Sequence, residues 1–157
     1  MRANRTVLRG FSLVELVIVV VVVGLLAAIA MPRFSQGAAG ASESVLTGDL
    51  AVLRNAIEMY AAEHNGSYPT TDDFVEQLTT YTNAGGTANP SPGQNHPFGP
   101  YLYAVPGLKM GTFTGGTAIS PVSATPTSEV DVDPMVGWLY NQNTGQIWAN
   151  TSDAFDK

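Results

Sequence analysis

A chain of 157 residues has room for one folded domain beside any membrane segment, and nothing in that length supports two. It contains no cysteine, so an exported domain must stand without disulfides. Thirteen acidic residues against seven basic give a formal charge of −6, which disfavours binding DNA through its phosphates and makes nucleic acid a poor partner.

The chain opens on a short basic leader carrying Arg2, Arg5 and Arg9, followed by Gly10. Residues 11–31 then read as one transmembrane helix, about 30 Å long and so matched to a bilayer core. From Leu16 to Met31 there is no charge and no side-chain hydrogen-bonding group. One carboxylate, Glu15, interrupts the apolar stretch. It would cost roughly 2 to 3.5 kcal/mol at mid-bilayer and less near the edge. Three arginines ahead of the span place the N-terminus in the cytoplasm and the rest beyond the membrane. Gly24, Ala27, Ala28 and Ala30 supply a small-residue surface that lets spans pack closely.

The basic leader, Gly10, the aromatic Phe11, Ser12-Leu13-Val14, Glu15 four residues past Phe11, the apolar run and Pro32 together resemble the class III signal of type IV pilins and of type II secretion pseudopilins. The resemblance implies that a prepilin peptidase cuts after Gly10 and N-methylates Phe11, making 1–10 a leader peptide and Glu15 the assembly carboxylate. It implies a homo-oligomeric filament, other pseudopilins, an inner-membrane assembly platform and membrane lipid as partners. Loss of the leader leaves 4 basic residues against 13 acids, a charge of −9. The freed amine of Phe11 then lies where Glu15 of a neighbouring subunit can pair with it, a contact strengthened by low dielectric and partly offset by desolvation. Two other readings compete. A conventional secretory signal with Ala28-Ile29-Ala30 as its cleavage site would start the mature chain at Met31, but leaves Glu15 and the Gly-Phe junction unexplained. A plain anchor with a snorkelling Glu15 is the other.

Residues 32–41 hold Pro32, Gly37 and Gly40 and are expected to be weak helix at best, a hinge. Leu46, Leu50, Leu53, Ile57 and Tyr60 then recur at spacings of four and three, predicting an amphipathic helix over 42–65 that Asn65-Gly66 terminates. Asn65-Gly66-Ser67-Tyr68-Pro69-Thr70-Thr71 resembles the stretch that follows the long helix in major pseudopilins, with Tyr68 expected as a buried plug. Thr70 and Asp73 fit a capping box opening a short helix over 72–81. Residues 83–100 read as loop, and Gly99-Pro100-Tyr101-Leu102 followed by Pro106 looks like the pseudopilin pattern of a Tyr-Leu strand leading to a proline. Residues 107–134 read as extended loop with one short strand. Aromatic and β-branched residues around an Asn/Gly loop make a hairpin of 136–149, its tryptophans packing on the long helix.

No nucleophile constellation occurs: no cysteine, no G-x-S-x-G and no H-E-x-x-H, so the chain reads as not an enzyme. His64 at a helix end interacts favourably with the dipole and needs no catalytic role. Major pseudopilins bind calcium near their C-terminal strands, and Asp131 and Asp133, with Glu129, offer hard oxygen ligands in that region. Two acids at i, i+2 are equally an ordinary solvated loop, and both readings stand. The expected fold is α+β and pilin-like: a long N-terminal helix, half membrane-spanning and half amphipathic, packed on a small antiparallel sheet within a periplasmic domain of 42–157. The expected function is a pseudopilus subunit of type II secretion. A type IV pilin of an adhesion or motility fibre and a secreted binding module are the alternatives.

Overall fold

The computed structural model describes residues 10–130 and 135–155, the side chains of residues 30–36, 39 and 153 excepted. It divides into two compact units, Met1–Gly40 and Ala41–Lys157. Helix α1, Leu13–Glu63, supplies the N-terminal unit and enters the second. In chain order α1 is followed by α2 (Phe74–Thr79), β1 (Tyr81–Thr82), β2 (Ala88–Asn89), β3 (Ala118–Pro121), β4 (Val136–Asn141), β5 (Gln146–Ala149) and a 3-10 turn at Ser152–Ala154. This is the α+β class expected from the residues.

The segment expected as a hinge, 32–41, is helical throughout in the isolated chain. Helix propagation explains this: strong formers on both sides carry the helix across a proline and two glycines, although no isolated helix would start there. Among the described residues no helix is long and apolar enough to cross a membrane. The span expected at 11–31 ends in residues whose side chains lie outside the described set.

In the second unit the leucine stripe of α1 is the floor of the core. Leu46, Leu50, Leu53, Ile57 and Tyr60 are all within 2% of full burial. Each such side chain contributes roughly 1.5 to 3 kcal/mol by leaving water. Phe74 and Leu78 of α2, Leu102, Leu108 and Phe113 from the loops, and Trp138, Tyr140 and Ile147 of the hairpin cover it. Alternation along β4 sends Trp138 and Tyr140 to the helix side and Leu139 to the other. Leu139 pairs across the ladder with Trp148, which packs with Val136 in a smaller cluster on the outer face. Trp138 therefore packs with the long helix as expected; Trp148 belongs to a different face.

The C-terminal sheet has the order β3-β4-β5. Its hairpin is antiparallel, but β3 runs parallel to β4, so the sheet is mixed. Gly137 allows this approach, because a Cβ there would collide with the carbonyl oxygen of Gly116. The hairpin loop has four residues, 142–145, and turns at Gly145, whose φ is +70 and whose Cβ would run into the Tyr68 ring. Tyr68 is thus half-buried against the hairpin turn. Arg54 Nη2 on α1 donates to the carbonyl of Ile147 on β5 at 3.2 Å.

Local rules set the other boundaries. Asn65 adopts φ +57 and Gly66 donates its N–H to Ala61 O at 2.8 Å, a six-to-one bond that closes α1. The short helix is smaller than expected. Asp73 sits at its N-cap without a side-chain cap bond, and Gln77 reaches back to the Thr70 amide at 2.8 Å. The expected Thr70–Asp73 capping box is therefore not the one used; the two side chains touch each other at 3.3 Å. Tyr101 and Leu102 form no strand, and both amides share the Leu78 carbonyl at 2.9 Å. Burial pushes the hydroxyls of Tyr60, Tyr101 and Tyr140 above the ordinary tyrosine range; the Glu63 carboxylate accepting from Tyr101 at 2.5 Å and the charge of Asp73 near Tyr60 add to it.

Asn150, with no exposed surface, joins Val130 to Val136. Its Nδ2 donates to the carbonyls of Val130 and Val136 at 3.0 Å, and its Oδ1 accepts from Val130 N at 2.9 Å. Asn150→Ala should lower unfolding free energy by about 2 to 4 kcal/mol, because it strands the main-chain groups it served. Leu53→Ala should cost about 3 kcal/mol. Val52→Ala, one residue earlier and about half exposed, should change stability by less than about 0.5 kcal/mol. Urea unfolding of the three variants checks these values.

Candidate functional site

Gly10, Phe11 and Glu15 stand together at the start of the described chain. Ser12 O accepts the first helical hydrogen bond, from Leu16 N at 3.1 Å. That makes Ser12 the N-cap and puts Glu15 three residues on, the Ser-x-x-Glu spacing of a capping box. Reasoning from the residues alone passed over this signal although all four letters were visible. Glu15 thus lies in the first turn of α1, where the positive end of the helix dipole favours a carboxylate. Phe11 is 73% exposed, and nothing lies within 4 Å of a Cβ placed on Gly10. The fold makes no steric demand for glycine at position 10. The leader arginines Arg2, Arg5 and Arg9 lie outside the described residues.

From Leu13 to Ile29 the large apolar side chains of α1 stand 48 to 78% exposed on every side. The second unit continues the theme on one face only. Val45, Val52 and Met59, spaced seven residues apart, are 48%, 53% and 48% exposed. Gly48 and Asn55 are exposed on the same side. Seven residues are two helical turns, so these side chains form one strip, rotated away from the buried leucines and from Glu43, Arg54 and Glu58. Steps of seven residues back from Val45 meet Ala38, Met31, Gly24 and Val17 in the sequence. A search for core periodicity found the leucines and stopped there; a count of the seven-residue repeat would have found the second strip. Gly24 and Gly48 sit in helix interior, where glycine costs up to about 1 kcal/mol against alanine, and neither has a neighbour within 4 Å of a Cβ. Nothing within the isolated chain accounts for either glycine.

The other candidates do not assemble into a reactive centre. His64 is buried, stacked on Tyr60 with ring centroids 3.8 Å apart, and its two ring nitrogens meet Tyr60 O and Thr82 Oγ1. His96 lies in the loop ahead of the bridge between Thr82 and Phe98. Asp131 and Asp133 lie outside the described residues. Glu129, the described member of that set, uses both carboxylate oxygens: Oε1 accepts from Ser152 N at 2.9 Å and Oε2 from Thr112 Oγ1 at 3.3 Å. Among the described residues no three histidine, aspartate or glutamate side chains come together to hold a metal. A groove of about 280 Å³ is lined by Arg54, Glu58 and residues 144–148 of the hairpin.

Comparison with known sequences bears on the N-terminal end first. The family described as the prokaryotic N-terminal methylation motif matches residues 8–31. Type II secretion system core protein G of Vibrio cholerae serotype O1 is 35% identical over 97 residues, 62% of this chain and 62% of that protein. The Klebsiella pneumoniae protein of the same name is 32% identical over 98 residues, 62% of this chain and 66% of its own length. The chain thus spans a little under two thirds of the length of these two relatives. The Pseudomonas aeruginosa protein of that name is 33% identical over 112 residues, 64% of this chain and 75% of that protein. No solved structure matches the chain. With a third of the aligned residues identical over three quarters of the Pseudomonas aeruginosa protein, and with the methylation motif at residues 8–31, this chain belongs to the type II secretion system core protein G family.

Proposed function

We propose that this chain is a structural subunit of a type II secretion pseudopilus. A prepilin peptidase removes residues 1–10, the amine of Phe11 is methylated, and the processed chains polymerise into a periplasmic filament on an inner-membrane platform with other pseudopilins. The chain crosses the inner membrane once, N-terminus inward. The observation that carries this reading is the coincidence of the methylation motif at 8–31 with an open Gly10 and an exposed Phe11 directly ahead of α1. A glycine that the fold does not require is best explained by an enzyme that reads it.

Glu15 has two tasks in this scheme. In the free subunit it balances the helix N-terminus. In the filament it meets the methylated amine of a neighbour and sets the axial step, since a carboxylate in a low-dielectric bundle favours the arrangement that supplies a cation. The helix glycines and the strip of Val45, Val52 and Met59 supply close approach and apolar contact between subunits.

Mass analysis of the N-terminus of membrane-extracted protein tests the scheme: it should start at methylated Phe11, and a start at Met1 or Met31 would sink it. Replacing Gly10 by a bulky residue should leave the leader attached while leaving the melting temperature of the folded domain unchanged. Glu15→Ala should be processed and inserted normally yet assemble at least about tenfold less filament, scored by shearing and immunoblot. Val52→Glu should fold with near wild-type stability and assemble poorly; normal filaments from it would remove the outer strip from the interface.

A further inference from the structure

We propose that Asn65–Gly66, the C-cap of α1, is a site of spontaneous deamidation whose rate is set by the seating of His64, independently of the assembly reading above. Asn65-Gly66 is the one Asn-Gly pair in the chain. Glycine after asparagine offers the least hindered backbone nitrogen for attack on the side-chain amide. In that reaction the Gly66 nitrogen loses its proton to water, forms a bond to Asn65 Cγ and expels ammonia. Water then opens the cyclic imide to aspartate or isoaspartate, so the balance is amide plus water giving carboxylate plus ammonium.

Asn65 is exposed, so water reaches it freely. The geometry of the cap opposes the attack. The Gly66 N–H is committed to Ala61 O at 2.8 Å, and Ser67 N to His64 O at 3.0 Å. Asn65 is held at φ +57 and Gly66 at φ +82, both in the left-handed region. For Gly66 N to turn onto Asn65 Cγ, the Asn65 backbone must rotate and the six-to-one bond must break, which opens the last turn of α1 at the residue that anchors it. That residue is His64, 2% exposed, stacked on Tyr60 at an interplanar angle of 5°, set edge-on to Phe98 at 5.2 Å, and bonded through its ring nitrogens to Tyr60 O at 2.8 Å and Thr82 Oγ1 at 3.1 Å. The aromatic seat of His64 is therefore the latch, and the Asn-Gly bond reacts from the open state. The product feeds back on the latch. A new carboxylate at position 65 stands at the negative end of α1, two residues from Glu63, with no basic residue in the last turn to offset it.

The test follows deamidation of the 65–66 bond by isotope-resolved peptide mass in the full chain in detergent at mildly alkaline pH, folded and in guanidinium chloride. The folded wild type should react at least about tenfold more slowly than the denatured chain. Thr82→Val, which keeps the shape of the side chain and removes one bond to His64, should raise the folded-state rate about three- to tenfold. Equal rates in the folded and denatured chain, no reaction in the denatured chain, or a folded Thr82→Val variant with the wild-type rate would each overturn the proposal. Should that variant not fold, the wild type decides alone. Gly66 amide exchange must be slow, and the deamidation rate must rise in parallel with it as urea is added; a rate indifferent to urea would overturn the latch.

Discussion

One helix face is asked to close a core while another is left open, and the second unit is arranged around that division. Leu46, Leu50, Leu53, Ile57 and Tyr60 are covered by Trp138, Tyr140 and Ile147 from the hairpin, by α2 and by the loops. Glu43, Arg54 and Glu58 are exposed in a third sector. What remains is a strip of aliphatic and small residues that contributes nothing to the stability of the monomer and exposes apolar surface to solvent. A fold shaped only by its own stability would carry lysine and glutamate along that strip, and a bare aliphatic strip is what the proposed packing between subunits would use.

A domain with so few regular elements and no cysteine has to be fastened another way. The irregular stretches are held by side chains that hydrogen-bond main-chain groups. Asn83 Oδ1 accepts from Gly85 and Thr87, Gln77 spans Thr70 and Gly86, and Asn141 Oδ1 accepts from Asn143. Trp138 and Tyr140 each bury a ring in the core and send a polar tip to a proline carbonyl, Pro106 and Pro69. A proline carbonyl is a natural partner, since its residue has no N–H with which to join a ladder. These contacts let loops stay close to the core while meeting the main-chain groups they cover.

What could be read from the residues was what is periodic and local. The leucine stripe fixed the inward face of α1, Asn65-Gly66 fixed its end, and the aromatic run around 136–149 fixed the hairpin. Pairing between β3 and β4 had no such signature: the partners lie far apart in sequence, and the short Ala118–Pro121 strand has no alternation to betray its neighbour. Burial on both sides of β4 hid which tryptophan faced the helix. Asn150 was invisible because a clamp is defined by the two carbonyls it reaches, and those are known only once the chain is folded. At the N-terminal end the reverse held. Spacing alone singled out Gly10, Phe11 and Glu15, while the structure added the cap at Ser12 and the open space around Gly10.

The bond from Arg54 to the carbonyl of Ile147 has a bearing on what kind of polymer this chain avoids. β5 has a neighbour on one side only, and an open strand margin is an invitation to stack sheet upon sheet into an amyloid-like fibre. A cation parked on that margin withdraws an acceptor from the invitation, and Pro121 at the end of β3 offers no amide on the opposite flank. Both flanks of the sheet are thereby made poorer templates for irreversible strand-by-strand aggregation.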